Sequence, residues 1–372
     1  MRRSARSRLG TGLALGALAL ATGCSAGSSD EPTPGTEDAT PPTSSMTVVM
    51  TDADHGVAVW PSGHEWLLLR TADGWQHVSN VTPQAVPTGG GIAVSLSGSQ
   101  LTAVIMPIEQ MTISPYLTSA DLGDHWTPGQ LPAGAVRSTG AVAATKTRTA
   151  ALVGSGQLVA GGPDRWTTLA SESALAAGGR LHLDSVTWAS LQRGWLTGTA
   201  QAGTPGAYQT DDAGHTWTAV PGAQAATGSA SALPPCGAGS SWLFPVLGSA
   251  GSGSVVIEAS SDAGATWSKV ATLSSPGVGR AWGCHGPEAW LVVHTAGGPH
   301  LMRSTDAGRT WSDRGPVPAG VVSLAPTGAG QGFAAGVVGS RAVLWRVDAA
   351  GHFTEVTLPA WVARAGAAAM QH

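Results

Sequence analysis

Aspartates recur in one fixed setting along this chain, and a carboxylate in a repeated position can act either as a catalytic group or as a turn cap. The clearest copy, residues 304–311, has the pattern S/T-x-D-x-G-x-T-W, which we call the aspartate motif. Full copies also occur at 210–217 and 260–267, and the copy at 119–126 has His125 in place of the threonine. A carboxylate at the third position can accept backbone N–H bonds from the residues that follow it. We therefore interpret these aspartates as structural caps rather than catalytic acids.

Three weaker copies complete the series, at 71–75, 162–166 and 348–353. The first of them is interpreted as shortened, with Trp75 as its terminal aromatic residue. The motif glycine supplies a backbone angle that other residues adopt only with strain, and the terminal tryptophan is expected to bury its ring between neighbouring sheets. The residues predicted to be structural are Asp73, Asp121, Asp164, Asp212, Asp262, Asp306, Asp348, Gly123, Gly214, Gly264, Gly308, Trp126, Trp217, Trp267 and Trp311.

The spacing of the terminal aromatic residues predicts the fold. Trp75 and Trp126 are 51 residues apart, and Trp126 and Trp166 are 40 apart; one four-stranded propeller blade needs a repeat of this size. Apolar stretches are short and bounded by glycine and proline, which is typical of strands. The sequence predicts an all-β fold, a seven-bladed β-propeller of four-stranded antiparallel blades (strands A to D, with the motif between C and D) over residues 46–361. Whether a shared blade closes the ring, or residues 360–363 add an edge strand, stays open.

The repeated motif resembles the Asp-box (BNR) repeat of sialidases, sortilin-type receptors, some xyloglucan-active hydrolases and photosystem II assembly factors. The resemblance extends from about residue 46 to about residue 360. It implies a propeller with the motifs at its turns. It implies no single activity, because one fold hosts unrelated functions.

The resemblance to sialidases implies a set of catalytic residues that this chain lacks. Those enzymes clamp a carboxylate with three arginines and use a Tyr–Glu nucleophile pair with an aspartate as acid/base. The chain has only two tyrosines, Tyr116 and Tyr208, both expected on strand C away from the channel, and it lacks the Phe/Tyr-Arg-Ile-Pro motif. Asp184 and Glu288 are a conceivable pair for ordinary glycoside hydrolysis, but we favour solvated acids at blade ends. No catalytic residue is predicted, and enzymatic activity is left uncertain.

The N-terminus has the pattern of a targeting segment. Four arginines precede an apolar stretch at 9–21, which is too short to span a membrane as a mature helix. Small residues then precede Cys24 and resemble a bacterial lipobox, although Ala21 stands where that motif prefers leucine. The resemblance implies removal of residues 1–23 as a signal peptide and diacylation of Cys24; the alternative is ordinary signal cleavage nearby. Residues 24–45, rich in Ser, Thr, Pro and acids, predict a disordered tether.

Two cysteines remain after Cys24. Cys236 and Cys284 each lie near the end of the first strand of their repeat, and equivalent strands of adjacent blades are neighbours near the channel. An exported location permits a disulfide between them; the alternative is two free, buried thiols. The last residues, 362–372, are predicted to be a disordered tail.

Charge and residue spacing narrow the function classes. The formal net charge is −4 and no basic patch emerges, so nucleic acid is not expected as a partner. The histidines lack the spacing of metal ligands, and no metal or cofactor is expected. We expect a monomer, anchored to the outer face of a bacterial membrane, that binds an envelope protein or a glycan without catalysis. The alternative is a glycoside hydrolase or sialidase-like enzyme with an atypical site.

Overall fold

Antiparallel β-strands make up most of the fold in the computed structural model, which describes residues 46–62, 65–84, 86–87, 91–106, 115–131, 141–145, 147–154, 156–162, 165–201, 203–223, 229–247, 253–274 and 277–362. A short helix, α1 (Glu172–Leu175), is capped by the Ser171 hydroxyl, which accepts a bond from the Ala174 amide. The all-β class is therefore confirmed. Residues 1–45 (the predicted signal peptide, Cys24 and tether), Asp164 and residues 363–372 of the predicted tail lie outside the described residues. Within the described ranges, no helix is long and apolar enough to cross a membrane.

The first three sheets follow one another along the chain, and their main strands each pair antiparallel with the next. The first contains β1 (Thr47–Met50), β2 (His55–Ser62), β3 (Glu65–Ala72), β4 (Ser79–Asn80) and the short β5 (Val86–Pro87), which pairs with β3. The second contains β6 (Gly91–Ser97), β7 (Gln100–Met106), β8 (Pro115–Ser119) and β9 (Thr127–Gln130). The third contains β10 (Val142–Ala144), β11 (Thr149–Val153), β12 (Gln157–Gly162) and β13 (Arg165–Ser171).

The fourth sheet has nine strands and contains two sequence repeats. Its strands are β14 (Leu181–Trp188), β15 (Gly194–Gln201), β16 (Ala207–Thr210), β17 (Thr218–Ala219), β18 (Ser229–Ala232), β19 (Cys236–Ala238), β20 (Ser241–Leu247), β21 (Ser254–Ser260) and β22 (Ser268–Ser274). The two repeats are joined because β18 pairs with both: Ser231 lies opposite Thr199 of β15 and Leu247 of β20.

The last two sheets are regular four-stranded meanders. One contains β23 (Gly277–His285), β24 (Glu288–Thr295), β25 (Gly298–Ser304) and β26 (Ser312–Pro316), and the other contains β27 (Val321–Gly328), β28 (Gln331–Val338), β29 (Arg341–Val347) and β30 (Phe353–Glu355). The described strands thus form six sheets, whereas seven separate ones were predicted. The difference arises where Pro234 and Pro235 break the first strand of the fifth repeat, because proline cannot donate to a strand ladder.

The last sheet packs on the first without a shared strand. Val57 and Leu68 of the first sheet lie in one buried cluster with Phe333 and Leu344 of the last. The Val48 amide also donates to the hydroxyl oxygen of Ser323 at 3.1 Å. Apolar packing, which is worth roughly 25 cal/mol per Å² of buried apolar surface, therefore joins the two ends of the described chain.

The segment after the last strand is not an edge strand. Residues 360–362 form a helical turn, and the Val362 side chain is fully buried in the cluster shared by the first and last sheets. The described part of the 360–363 segment is therefore helical and does not add the edge strand that the sequence left open.

Each meander places its turns at two opposite ends of the sheets. The A–B turn and the aspartate motif lie together at one end, called here the motif end: the Ala307 amide donates to the carbonyl of Pro287 at 2.9 Å, and the Ala213 amide to that of Gln192 at 2.8 Å. The B–C turns and the connections between successive sheets, including α1, lie at the other end, called here the connection end.

Candidate functional site

The carboxylate of a complete aspartate motif is saturated by hydrogen bonds from its own turn. Asp306 Oδ1 accepts bonds from the Ser304 hydroxyl and the Thr310 amide, both at 2.9 Å, and Oδ2 accepts the Thr310 hydroxyl at 2.6 Å. The Gly308 amide donates to the Ser304 hydroxyl oxygen at 2.9 Å. Because its oxygens are already occupied by donors, such a carboxylate holds the turn and is a poor proton acceptor.

The motifs in the two repeats of the nine-stranded sheet form the same network. Thr216 donates its amide to Asp212 Oδ1 at 2.8 Å and its hydroxyl to Oδ2 at 2.6 Å, and Thr266 does the same to Asp262 at 2.9 and 2.6 Å. The Thr216 hydroxyl and amide lower the pKa of Asp212 to about 2. The equivalent bonds from Thr266 also lower the pKa of Asp262. Both groups therefore stay ionised near neutral pH.

Histidine replaces the threonine in the motifs of the first, second and last sheets. The pairs are His77–Asp73 at 2.5 Å, His125–Asp121 at 2.6 Å and His352–Asp348 at 3.0 Å, each measured from Nδ1 to Oδ2. The hydrogen bond to Asp121 raises the pKa of His125. Imidazole therefore takes the place of the threonine hydroxyl as the partner of the aspartate in these three motifs.

The first motif is full-length, so the interpretation of a shortened copy ending at Trp75 is wrong. The Trp75 amide donates to the Thr71 hydroxyl oxygen at 2.8 Å, as the glycine amide does in a complete motif, and its φ is 70°. The His77 amide then donates to Asp73 Oδ1 at 2.9 Å, which leaves Val78 in the terminal position. The sequence pattern did not reveal this because the motif has glycine at this position, and bulky residues rarely adopt a left-handed conformation.

The motif glycines have positive φ and lie against the preceding repeat. A Cβ on Gly308 (φ 78°) would approach Leu243 Cδ2 to 2.9 Å, and one on Gly123 (φ 99°) would approach Val81 Cβ to 2.8 Å. The same relation places Gly214 against Leu169 and Gly264 against Trp195. In the first motif Trp75 occupies the glycine position, and its ring packs edge-on against Phe333 of the last sheet, with 6.5 Å between the ring centroids. Each of these motifs is therefore a contact between two repeats as well as a turn.

The terminal tryptophans are partly buried at the same contacts. Trp126 Nε1 donates to the Val81 carbonyl, and Trp267 Nε1 donates to Gln209 Oε1, both at 3.0 Å and both in the preceding repeat. Trp217 and Trp311 instead donate to the carbonyls of their own motif glycines, Gly214 at 3.1 Å and Gly308 at 2.8 Å.

Five arginines that the sequence analysis missed bind these motifs from the preceding repeat. Each donates to a main-chain carbonyl of the next motif: Arg70 to Asp121 at 3.3 Å, Arg148 to Ala213 at 2.8 Å, Arg193 to Ala263 at 2.8 Å, Arg303 to Ala349 at 3.0 Å and Arg346 to Gly74 at 2.9 Å. The signal that could have found two of them is an arginine directly before the first motif residue, as at Arg70 and Arg303.

Glu288, one member of the conceivable hydrolytic pair, is buried and fully bonded. Its Oε1 accepts the Trp290 indole N–H at 2.6 Å and lies 3.0 Å from Arg303 Nε, while Oε2 accepts the Gly330 amide at 2.9 Å. Glu288 therefore connects the last two sheets. Asp184, the other member, lies in a β-bulge of β14, in a different sheet.

A charged cluster lies at the connection end, where α1 meets β14. His182 Nδ1 is 3.5 Å from Glu172 Oε1, and its Nε2 is 3.4 Å from Asp184 Oδ1. Glu172 also accepts the Leu183 amide at 2.6 Å, which ties α1 to the strand. This arrangement can bind a polar partner by hydrogen bonds. Among the described residues, no group of three His, Cys, Asp or Glu side chains could hold a metal ion.

A polar groove of about 440 Å³ lies at the motif end between the first and second sheets. Asp73 and His77 line one side and Asp121 and Asp124 the other, with Arg70 between them. The Arg70 guanidinium is 2.8 Å from Asp124. The charged groups of the groove thus bond mainly to each other.

The predicted disulfide is present between Cys236 of β19 and Cys284 of β23, with a Cα–Cα distance of 5.9 Å. It joins the inner strand of the nine-stranded sheet to that of the next sheet. Trp282 lies beside it and donates its indole N–H to the Pro234 carbonyl at 3.0 Å.

The two tyrosines have structural hydrogen bonds. The Tyr116 hydroxyl bonds to the Thr149 hydroxyl at 2.8 Å, and the Tyr208 hydroxyl donates to the Leu175 carbonyl at 2.9 Å.

Comparison with solved structures identifies the architecture as a β-propeller. The chain is similar to the structure titled YCF48 bound to D1 peptide, with 17% identity, a TM-score of 0.51, and coverage of 82% of this chain and 93% of that one. It is also similar to a GH74 xyloglucanase from Xanthomonas campestris, with 16% identity, a TM-score of 0.54, and coverage of 81% of this chain and 51% of that one. Identities this low show the fold alone.

A third similar structure is a puromycin-hydrolyzing peptidase from Mycobacterium tuberculosis. The identity is 12%, the TM-score is 0.52, and the match covers 87% of this chain and 55% of that one. No family model matches the chain, and no curated protein matches it.

Proposed function

We propose that this chain is a seven-bladed Asp-box propeller that binds a protein or a glycan without catalysis, held at the outer face of a bacterial membrane by a lipid on Cys24. The nine-stranded sheet counts as two blades that share β18. The cyclic order of contacts supports this count: the motif glycines lie against the preceding repeat, and Trp75, in the glycine position of the first motif, packs against Phe333 of the last sheet.

One observation carries the choice of binding over hydrolysis: the conspicuous carboxylates of the described residues are occupied by structural bonds. The motif aspartates accept bonds from their own turns, and Glu288 is buried among Trp290, Arg303 and Gly330. Hydrolysis of a glycoside needs two converging carboxyl groups with different proton affinities. The solved propeller that carries a bound peptide supports a protein partner.

The connection end is the proposed binding end, since the motif end is used for contacts between sheets. The cluster of His182, Asp184 and Glu172 lies there, on a connection that follows no repeated pattern. Such non-repeated loops on a rigid scaffold are where propellers and other repeat folds place their recognition residues.

A capture experiment with the full chain tests this function. The chain with Cys24→Ala would be used as bait against detergent-solubilised envelope proteins, beside a glycan array. We expect one enriched partner, lost in the His182→Ala/Asp184→Ala variant and kept in Arg309→Ala. Arg309 is exposed at the motif end, where its side chain donates to the Asp306 carbonyl of its own turn. Equal capture by both variants would contradict the placement of the binding end.

The anchor is tested separately by fractionation. We expect the wild-type chain in the membrane fraction with acyl groups on its N-terminal cysteine, and the Cys24→Ala chain free of them. A mature N-terminus at another residue, found by mass spectrometry, would instead indicate ordinary signal cleavage.

The second candidate is a glycoside hydrolase, favoured by the similarity to the GH74 xyloglucanase. Incubation of the full chain with xyloglucan and sialylated oligosaccharides discriminates the two. We expect no new reducing ends; release that disappears in His182→Ala/Asp184→Ala would establish the enzyme.

A further inference from the structure

Three large apolar side chains of the described residues are strongly exposed, and they divide between the two ends of the propeller. Val338 (46% exposed) and Trp361 (44%) lie at the connection end, whereas Leu191 (47%) lies in the β14–β15 turn at the motif end. Single exposed apolar residues are common on protein surfaces. Two such residues close to the last sheet indicate a candidate interaction surface.

Val338 and Trp361 flank the same corner of the last sheet. Val338 ends β28 and lies opposite Arg341 in the ladder. Trp361 directly precedes the buried Val362, which lines a cavity of about 180 Å³ together with Arg341 and Trp60. Arg341 is neutralised by an ion pair with Glu355. The corner therefore presents two exposed apolar side chains beside one charge-balanced ion pair.

The chain enters the propeller at this same end. β1 begins at Thr47, whose hydroxyl lies 3.4 Å from the hydroxyl of Ser323 in the last sheet. The sequence predicts residues 24–45, which precede it, to be a disordered tether, and a random-coil chain of that length would span on the order of 25 Å. With a lipid on Cys24, the connection end would stay within that reach of the bilayer.

We propose that Val338 and Trp361 form a membrane-docking corner that rests on the lipid surface beside the anchor. The inference rests on the proposed lipid anchor for its biological setting. Tryptophan is suited to this place because its ring is apolar and its indole N–H is polar, so it is stable at the depth of the lipid headgroups.

Vesicle co-sedimentation of the full chain with Cys24→Ala tests the corner without the lipid anchor. With phosphatidylcholine vesicles, we expect measurable partitioning that drops about tenfold in Trp361→Ser, since one buried aromatic side chain contributes on that scale. Val338→Ser should weaken binding less, and Leu191→Ser, at the opposite end, should leave it unchanged. Apolar docking also predicts the same partitioning at low and high salt.

Each outcome decides the proposal. Partitioning that is absent, salt-dependent or equally reduced by Leu191→Ser would overturn it. Loss of a dimer in Trp361→Ser, seen by analytical ultracentrifugation with no change in vesicle binding, would assign the corner to a second copy instead. If Trp361→Ser fails to fold, the Val338→Ser variant still tests the docking corner. The vesicle experiment uses a chain without the lipid anchor, so its result does not depend on whether Cys24 is lipidated. Lipidation of Cys24 is tested separately, by the fractionation experiment.

Discussion

Arg346 Nη2 donates a 2.9 Å hydrogen bond to the carbonyl oxygen of Gly74, which lies 272 residues earlier in the chain. The Arg346 guanidinium also lies over the Phe333 ring, 5.7 Å from its centroid. This bond joins the last sheet to the motif of the first, as Arg303 joins the sheet before it to the last motif. Because the terminal sheets share no strand, side chains must hold the ring closed.

Replacing Arg346 by methionine should lower the free energy of unfolding by about 1–2 kcal/mol, through loss of the charge-assisted bond and the ring contact. Urea denaturation followed by tryptophan fluorescence measures it. Arg341→Met is the matched control, because its ion pair with Glu355 is exposed and should contribute less than about 0.5 kcal/mol. Equal losses would show that Arg346 has no special part in closure.

Gly308→Ala should destabilise the protein more than Gly98→Ala, although both glycines have positive φ (78° and 61°). Both changes introduce backbone strain of about 1 kcal/mol. Only Gly308 lies against Leu243, at 2.9 Å from the added Cβ, whereas nothing lies within 4 Å at Gly98. The overlap should add about 1–3 kcal/mol. Identical urea midpoints for the two variants would contradict the inter-sheet contact.

The Asp212 carboxylate should contribute to acid unfolding. Its pKa in the folded protein is about 2, below the value of about 3.9 in an unfolded chain. Its stabilisation is therefore complete above pH 4 and is lost as the pH falls from 4 through 2. Asp212→Asn should be less stable at pH 7 and show a smaller loss over that interval, and Thr216→Val, which removes one donor, should fall between. Parallel curves of stability against pH for all three proteins would refute this.

His125 should add a pH dependence of the opposite sign. The bond to Asp121 raises its pKa in the folded protein, so its stabilisation is present below an unfolded pKa of about 6.5 and is lost as the pH rises through the folded value. His125→Thr restores the residue found at this position in three other motifs. We expect that variant to lose the decline in urea midpoint above pH 6.5. If the urea midpoint of the variant still declines above pH 6.5, titratable groups other than His125 cause the decline.

Removal of the Cys236–Cys284 disulfide should cost roughly 4 kcal/mol on the chain-entropy description, given a sequence separation of 48 residues. The Cys236→Ser/Cys284→Ser variant and the reduced wild type should show the same lowered urea midpoint. Intact mass after alkylation provides the check: two alkylatable thiols in the unreduced protein would contradict the bond.

Local features of the fold were predictable because the aspartate motif is a local structure. Asp306, Gly308 and Thr310 are within five residues of each other, so their spacing alone indicates the turn and their repetition indicates a propeller. The prediction failed where a position departed from the usual residue. At Trp75 a bulky side chain occupies the left-handed glycine position, and the nearest aromatic residue was mistaken for the end of the motif.

Relations between repeats were beyond the sequence, since they depend on which sheets become neighbours. The motif by itself determined an all-β repeat fold, and the two cysteines indicated a disulfide. Only the tertiary structure decided that Arg346 bonds to Gly74, that β18 joins two repeats, and that Glu288 is buried against Arg303 instead of facing a substrate. Turn bonds connect residues a few positions apart and leave a spacing in the sequence, whereas contacts between sheets connect residues 40 to 270 positions apart through side chains of many possible types, and these leave no local pattern.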